Sequence, residues 1–147
     1  IVKMAGALPL PNCVENIKTF NDALRTIAKN KNCVTIYPEA HIWPFYEDIR
    51  PFNDHSFKYP IQNNATTFAV TNTYVERKIF KKLSPKIITY VDGPFYPNKE
   101  LSLAENKKLL RDEVYDSMLS HIKHKTKLEY YKYVHQEGIK PYFEKNK

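Results

Sequence analysis

The chain has 147 residues, 42% of them hydrophobic and 14% aromatic, which suits one folded domain and excludes a fibrous or disordered chain. Its formal net charge of +7 indicates an acidic partner, such as nucleic acid, anionic lipid or a phosphorylated substrate, or none. No apolar run approaches the roughly 20 residues that a membrane helix needs, and no secretory signal is visible. The two cysteines make no metal pattern, which favours buried thiols in a reducing compartment over a disulfide.

The first predicted elements are a strand and an amphipathic helix. Residues 1–10 are expected to supply the strand. Over residues 14–30, apolar side chains recur at spacings of three and four, which places them on one face of a helix. Asn12 stands just before this helix and is expected to cap its free amides. The apolar face consists of Val14, Ile17, Phe20, Leu24, Ile27 and Ala28.

The middle of the chain combines a short strand with an unusual loop. Residues 33–37 are β-prone and bounded by Pro38, which predicts a buried strand inside a sheet. The loop over residues 39–53 is rich in aromatic residues and prolines, and loops at strand ends are where α/β proteins usually place their sites. Residues 54–64 predict a weak helix that Pro60 interrupts.

The second half of the chain predicts two strands and a firm helix. Residues 67–74 and 86–91 have strand composition, and residues 92–94, Asp-Gly-Pro, predict a turn. Ser102 and Glu105 have the spacing of a capping box, which marks a helix start. Alternation of helices and strands predicts an α/β fold with a mixed sheet flanked by helices. The helical spacing is kept by Leu103, Leu110, Val114, Met118 and Ile122.

Residues 34–40, Val-Thr-Ile-Tyr-Pro-Glu-Ala, resemble the strand-Pro-Glu block of the glycerolipid acyltransferases, the family that includes the lysophosphatidic-acid acyltransferases. Three other segments resemble the neighbouring blocks of that family in the same order. They are a glycine-containing segment at residues 4–11, a basic-aromatic block at 49–52, and a helix followed by a strand at 57–74. The resemblance implies the family's fold and an acyltransferase that needs no cofactor.

The resemblance covers roughly residues 4–122 of one domain, and residues 123–147 form a basic tail. It implies transfer of a fatty acyl group from acyl-CoA or acyl-carrier protein to a hydroxyl of a lysophospholipid or glycerol phosphate. In the family, a histidine followed by aspartate after four intervening residues takes the proton from that hydroxyl. None of the five histidines has aspartate in that place. We therefore expect a C-terminal fragment, inactive alone, whose catalytic block precedes Ile1.

The resemblance also implies which residues bind the acceptor. Glu39 is the expected substrate-orienting carboxylate, and Arg50 offers a guanidinium fork that suits two phosphate oxygens. His41 and Lys58 are further substrate-binding candidates. Each has an ordinary alternative, such as an exposed loop residue or, for Arg50, a surface ion pair with an adjacent acid. The spacing of His41 and nearby acids fits no regular ligand pattern, so no metal is predicted.

The chain departs from the family pattern around the phosphate site. Ala40 replaces the family's glycine, and residues 41–43, His-Ile-Trp, stand where Thr/Ser-Arg-Ser is usual. The phosphate-binding arginine that the family has in this Thr/Ser-Arg-Ser block is therefore absent from residues 41–43. Arg50 is the nearest substitute for it.

Two further features suggest contact with lipid. The aromatic loop residues either wall an acyl channel and meet the membrane interface or pack in the core. The basic tail either touches an anionic membrane surface or is a solvated face. These features predict a cytoplasmic protein peripheral to the membrane. The apolar residues of segment 1–10 predict a homodimer of the fragment.

Two alternative functions remain beside acyl transfer. A basic nucleic-acid-binding module fits the charge and the tyrosines, although no recognised motif appears, so nucleic acid is not the expected partner. A non-catalytic relative of the same fold is the other alternative.

Overall fold

The computed structural model describes residues 8, 10–11, 13–30, 32–80, 83–122, 130–134 and 142–145. Helices and strands are both present there, as predicted, but the strands form two separate antiparallel pairs and not a mixed sheet. The elements are α1 (Val14–Lys29), a 3-10 turn (His55–Phe57), α2 (Lys58–Gln62), β1 (Thr67–Val75), β2 (Lys86–Phe95), α3 (Leu103–Ser120), β3 (Tyr131–Val134) and β4 (Tyr142–Lys145).

Helix α1 confirms the helix predicted from apolar periodicity, and it ends one residue before the predicted boundary. The predicted cap is wrong, because the N-cap residue is Cys13, whose backbone is extended and whose side chain makes no capping hydrogen bond. Cys13 and Cys33 are free and exposed, so the prediction of buried thiols is also wrong.

The strand predicted over residues 33–37 is wrong. The segment has neither helix nor strand structure, and all five residues are exposed. Its β-branched residues favour extended backbone, but a strand also needs a neighbouring edge to bond. β1 pairs with β2 and β3 pairs with β4, so neither of the two sheets includes this segment.

Strands β1 and β2 form a long antiparallel hairpin and extend both predicted strands. The turn predicted at residues 92–94 is wrong, because these residues continue β2 opposite a register shift between Thr67 and Ala69. Gly93 has a φ of +122°, and a Cβ there would lie 3.0 Å from the carbonyl oxygen of Thr67. Glycine therefore suits the irregularity, because a side chain at this position would be strained by the positive φ and crowded by Thr67.

Helix α3 covers one face of the β1–β2 hairpin and makes the core with it. Its capping box is confirmed, since the Ser102 amide donates to Glu105 Oε2 at 3.1 Å and the Ser102 hydroxyl accepts from the Glu105 amide. On α3, Leu110, Val114 and Met118 are buried at a spacing of four residues, as predicted. Leu103, which was predicted to share this face, is 46% exposed, and Asn106 is the buried residue four positions before Leu110. The buried cluster consists of Phe52, Phe57, Ala69, Leu110, Val114 and Met118.

The hairpin β3–β4 lies within the segment predicted as a basic tail. Of that segment, residues 123–129, 135–141 and 146–147 lie outside the described residues. The strand predicted near the start of the chain also lies outside them, apart from Leu8 and Leu10. The homodimer prediction, which rests on residues 1–10, therefore stays a prediction.

Candidate functional site

The structure brings Glu39 and Arg50 together. Arg50 Nε lies 3.3 Å from Glu39 Oε2, and the Arg50 amide donates to the same oxygen at 3.0 Å. Arg50 Nη2 donates to the carbonyl oxygen of Glu39 at 2.9 Å and to that of His41. The two side chains are 17% and 26% exposed, so the pair is better protected from water than a surface ion pair. These bonds close residues 39–50 into one loop.

The partner of Arg50 is therefore distant in sequence. Asp48, one of the two adjacent acids, accepts a hydrogen bond from the Ile49 amide at 2.9 Å. Glu39 lies 11 residues before Arg50 and makes two bonds to it through one oxygen.

Trp43 connects the loop to the hairpin β3–β4. The guanidinium carbon of Arg50 lies 4.6 Å from the centroid of the Trp43 ring, a cation–π contact. Tyr133 of β3 stacks on Trp43 with ring centroids 4.9 Å apart, and its hydroxyl donates to the carbonyl oxygen of Pro44. Tyr46 packs edge-on against the same tryptophan at 5.0 Å. The aromatic side chains thus hold the loop in place from outside.

Phe45 makes the second half of this aromatic cluster. Its ring centroid lies 5.3 Å from that of Tyr74 in β1, 4.7 Å from Tyr130 and 5.4 Å from Tyr131. Burial raises the pKa of Tyr46, of Tyr74 and of Tyr133 above the ordinary value for a phenol. The rings pack on one another, which agrees with the alternative that the aromatic loop residues serve packing.

The other two predicted site residues lie apart from the pair. The His41 side chain belongs to an exposed residue, and it is the His41 backbone that meets Arg50. Lys58, at the start of α2, places its Nζ 5.0 Å from the ring centroid of Tyr59. Among the described residues, no contact joins the His41 ring or Lys58 to Glu39, so we do not place them in the same site.

Sequence reasoning missed a histidine–aspartate contact. His121 Nε2 lies 2.7 Å from Asp92 Oδ2, and the imidazole stacks on Tyr90 with ring centroids 4.0 Å apart. Asp92 was assigned to a turn, and the two residues are 29 positions apart, so no spacing signal joins them. The contact ties the end of α3 to β2.

Two kinds of feature are absent from the described part of the chain. No group of three or more His, Cys, Asp or Glu side chains there could hold a metal ion. No helix there is long and apolar enough to cross a membrane. A shallow depression of about 490 Å³ follows the exposed side of α1 and includes none of the predicted site residues.

Comparison of the chain with protein-family models, with curated proteins and with solved structures gives no match.

Proposed function

We propose that this chain is the acceptor-binding part of an acyltransferase of phospholipid biosynthesis. The acyl group would pass from acyl-CoA or acyl-carrier protein to the hydroxyl of a lysophospholipid or glycerol phosphate. The protein would act in the cytoplasm at the membrane surface, where such acceptors are found. The observation that carries the proposal is the bonded pair of Glu39 and Arg50.

The backbone at Ala40 supports the same proposal. Ala40 follows the Pro-Glu dipeptide and stands where the resembled family has glycine. Its φ is +65°, in the left-handed region that glycine adopts freely and other residues adopt at a cost. The backbone at this position therefore has the conformation that would account for the family's glycine, although this chain has alanine there.

Arg50 has donors left for an acceptor phosphate. A guanidinium has five N–H donors, and the contacts of Arg50 within the described residues use Nε and one terminal nitrogen, Nη2. The other terminal nitrogen, Nη1, carries two more donors. Glu39 and the backbone carbonyls fix the direction of the fork, which reduces the entropy lost when it binds an anion. In this proposal Arg50 binds the acceptor and Glu39 positions Arg50.

The proposal leaves proton transfer to other residues. The family's catalytic histidine precedes an aspartate at a fixed distance, and none of the histidines in this chain has that neighbour. His121 does contact an aspartate, but that residue lies on β2 and 29 positions earlier. We therefore expect the chain alone to transfer no acyl group.

The experiment is acyl transfer to lysophosphatidic acid by the full-length protein. Arg50→Ala and Glu39→Ala should each lower kcat/KM about ten- to hundredfold, because a lost charge-assisted contact costs roughly 1.5–3 kcal/mol. Arg50→Lys should lose most of this activity as well, since an ammonium cannot reproduce the fork.

A matched control is available on α1. Arg25 pairs with Asp22 at 3.1 Å on an exposed helix face, so Arg25→Ala removes an arginine–carboxylate pair of the same kind without touching the loop. It should leave kcat/KM unchanged. Melting temperatures of all variants show whether a loss of activity comes from unfolding of the loop or from weaker acceptor binding. If Arg50→Ala and Glu39→Ala fold normally and keep full activity, the assignment is wrong.

A further inference from the structure

The connection between β1 and β2 has a composition that folding does not explain. Between residues 76 and 86 the sequence has five cations and one acid, together with three large apolar residues. Ile79 and Phe80 are 73% and 75% exposed, and Leu83 is 56% exposed. Hairpin connections are normally polar or glycine-rich, because their side chains face water. Three exposed apolar side chains within five positions therefore indicate a surface that meets something apolar.

Two hydrogen bonds join the two sides of this connection in the described residues. Arg77 Nε donates to the carbonyl oxygen of Ser84 at 2.9 Å. The Leu83 amide donates to the carbonyl oxygen of Phe80 at 2.9 Å. Phe80 has a φ of +60°, where glycine or asparagine would be less strained. An aromatic side chain is thus kept in an exposed position that does not favour it.

Most described residues of the connection are exposed, although Pro85 beside β2 is buried. Thr73 is the last buried residue of β1, and every described residue from Val75 to Ser84 is exposed. The cations flank the apolar tip, with Arg77 and Lys78 before it and Lys86 after it. In the sequence, Lys81 and Lys82 stand between Phe80 and Leu83. Apolar side chains surrounded by cations match a bilayer interface, where acyl chains lie beneath anionic headgroups.

We propose that the described residues of this connection, 76–80 and 83–86, dock on a bilayer rich in anionic lipid and insert Ile79, Phe80 and Leu83 into its interface. The flanking cations Arg77, Lys78 and Lys86 bind the headgroups. Charge complementarity selects the partner, because a neutral apolar surface would offer these cations no anion to bind. This inference does not depend on the acyl-transfer proposal, because vesicle binding is measured without any reaction.

The test uses the 147-residue chain and two kinds of vesicle, phosphatidylcholine alone and phosphatidylcholine mixed with phosphatidylglycerol. The chain should cosediment with the anionic vesicles and much less with the neutral ones, and added salt should weaken the binding. Ile79→Ser combined with Phe80→Ser should lower the partition coefficient about tenfold or more, because two apolar side chains no longer enter the interface. Lys78→Ser combined with Lys86→Ser should lower it by about tenfold on anionic vesicles.

The matched control removes exposed apolar residues elsewhere. Leu10→Ser combined with Val14→Ser changes two side chains that are 77% and 79% exposed, and it should leave the partition coefficient unchanged. Phe80→Trp adds a fluorophore to the tip, and its emission should shift to shorter wavelength with anionic vesicles, beyond the contribution of Trp43.

Four results would overturn the inference. They are equal vesicle binding by the chain and its Ile79/Phe80 variant, equal loss in the Leu10/Val14 control, no shift for Phe80→Trp, and tighter binding to single-stranded RNA than to anionic vesicles. The last result would mean that the cations bind a nucleic acid. In that case the affinity for RNA would fall in the Lys78/Lys86 variant and stay unchanged when Phe80 is replaced.

Discussion

Helices α1 and α3 are similar in length, with 16 and 18 residues, and both have apolar side chains at helical spacing. Helix α3 uses that face to build the core, where Leu110 and Val114 are buried against the β1–β2 hairpin. Helix α1 buries only Leu24 and leaves Val14 79% exposed. The same pattern therefore specifies a helix in both places and a core in only one.

The difference lies in what each helix meets. The side chains of α3 face two strands, α2 and the 3-10 turn, whereas α1 packs Phe20 edge-on against Tyr59 of α2 with ring centroids 5.5 Å apart. Helix α3 also starts with a full capping box, and α1 starts without a side-chain cap. Periodicity shows which face of a helix can be buried, and the surrounding elements decide whether it is.

The largest expected effect tests this contrast in the two helices. Leu110→Ala should lower the free energy of unfolding by about 2–5 kcal/mol, because the side chain is 1% exposed and its removal leaves a cavity. Leu24→Ala should cost less, since α1 has fewer neighbours to lose. Urea unfolding of both variants measures the difference. Equal losses would mean that α1 is as well packed as α3.

The intermediate effect tests the two helix starts. Ser102→Ala should lower the free energy of unfolding by about 1 kcal/mol, because it removes the cap of α3. Cys13→Ser should raise it by about 0.5 kcal/mol or more, because serine caps a helix and Cys13 already has the extended backbone of an N-cap residue. Thermal unfolding checks both signs, and a destabilised Cys13→Ser variant would contradict the second.

The smallest effect concerns pH. Hydrogen bonds from the Ser102 hydroxyl and then from the Ser102 amide hold the pKa of Glu105 below its ordinary value. A carboxyl with a lowered folded pKa stabilises the fold above its unfolded pKa, and this contribution is lost as pH falls through the folded pKa. Glu105→Gln keeps a capping side chain but does not titrate. Its unfolding free energy should therefore fall less steeply with acid, and an identical pH profile would contradict this.

Local signals predicted local structure well. Helix α3, helix α1 and the two strands of the long hairpin follow from periodicity, capping and strand composition. The isolated segment at residues 33–37 could not be excluded from a sheet by its composition, because a strand exists only when another strand is beside it. The hairpin β3–β4 was missed because its lysine-rich composition suggested a solvated tail, although each of its strands has a partner.

The site was predictable only in part. Glu39 and Arg50 were chosen by resemblance, and their contact could not be read from a spacing of 11 residues. The pairing of His121 with Asp92 depends on how α3 lies across β2, which no local pattern encodes. The contact of Trp43 with Tyr133 likewise depends on a hairpin that sequence reasoning did not find.

The irregularity beside Gly93 has a consequence for how the chain folds correctly. The row of β1 that faces α3 contains Ala69, Thr71 and Thr73, while the opposite row includes Phe68 and Val70, which are exposed. The solvent row is thus the more apolar of the two, and the Thr71 hydroxyl is buried with no hydrogen-bond partner among the described residues. A slip of one residue would exchange the rows and move the better hydrophobic face under the helix.

Hydrophobic burial alone therefore does not choose the observed alignment of this hairpin. The one place where the ladder is uneven favours it, because glycine there tolerates both the positive φ and the nearby carbonyl of Thr67. A side chain at position 93 would strain the backbone at that place. It would thereby weaken one of the features that distinguish the native alignment from its neighbour, beside the contacts of Tyr74 with Phe45 and of Asp92 with His121.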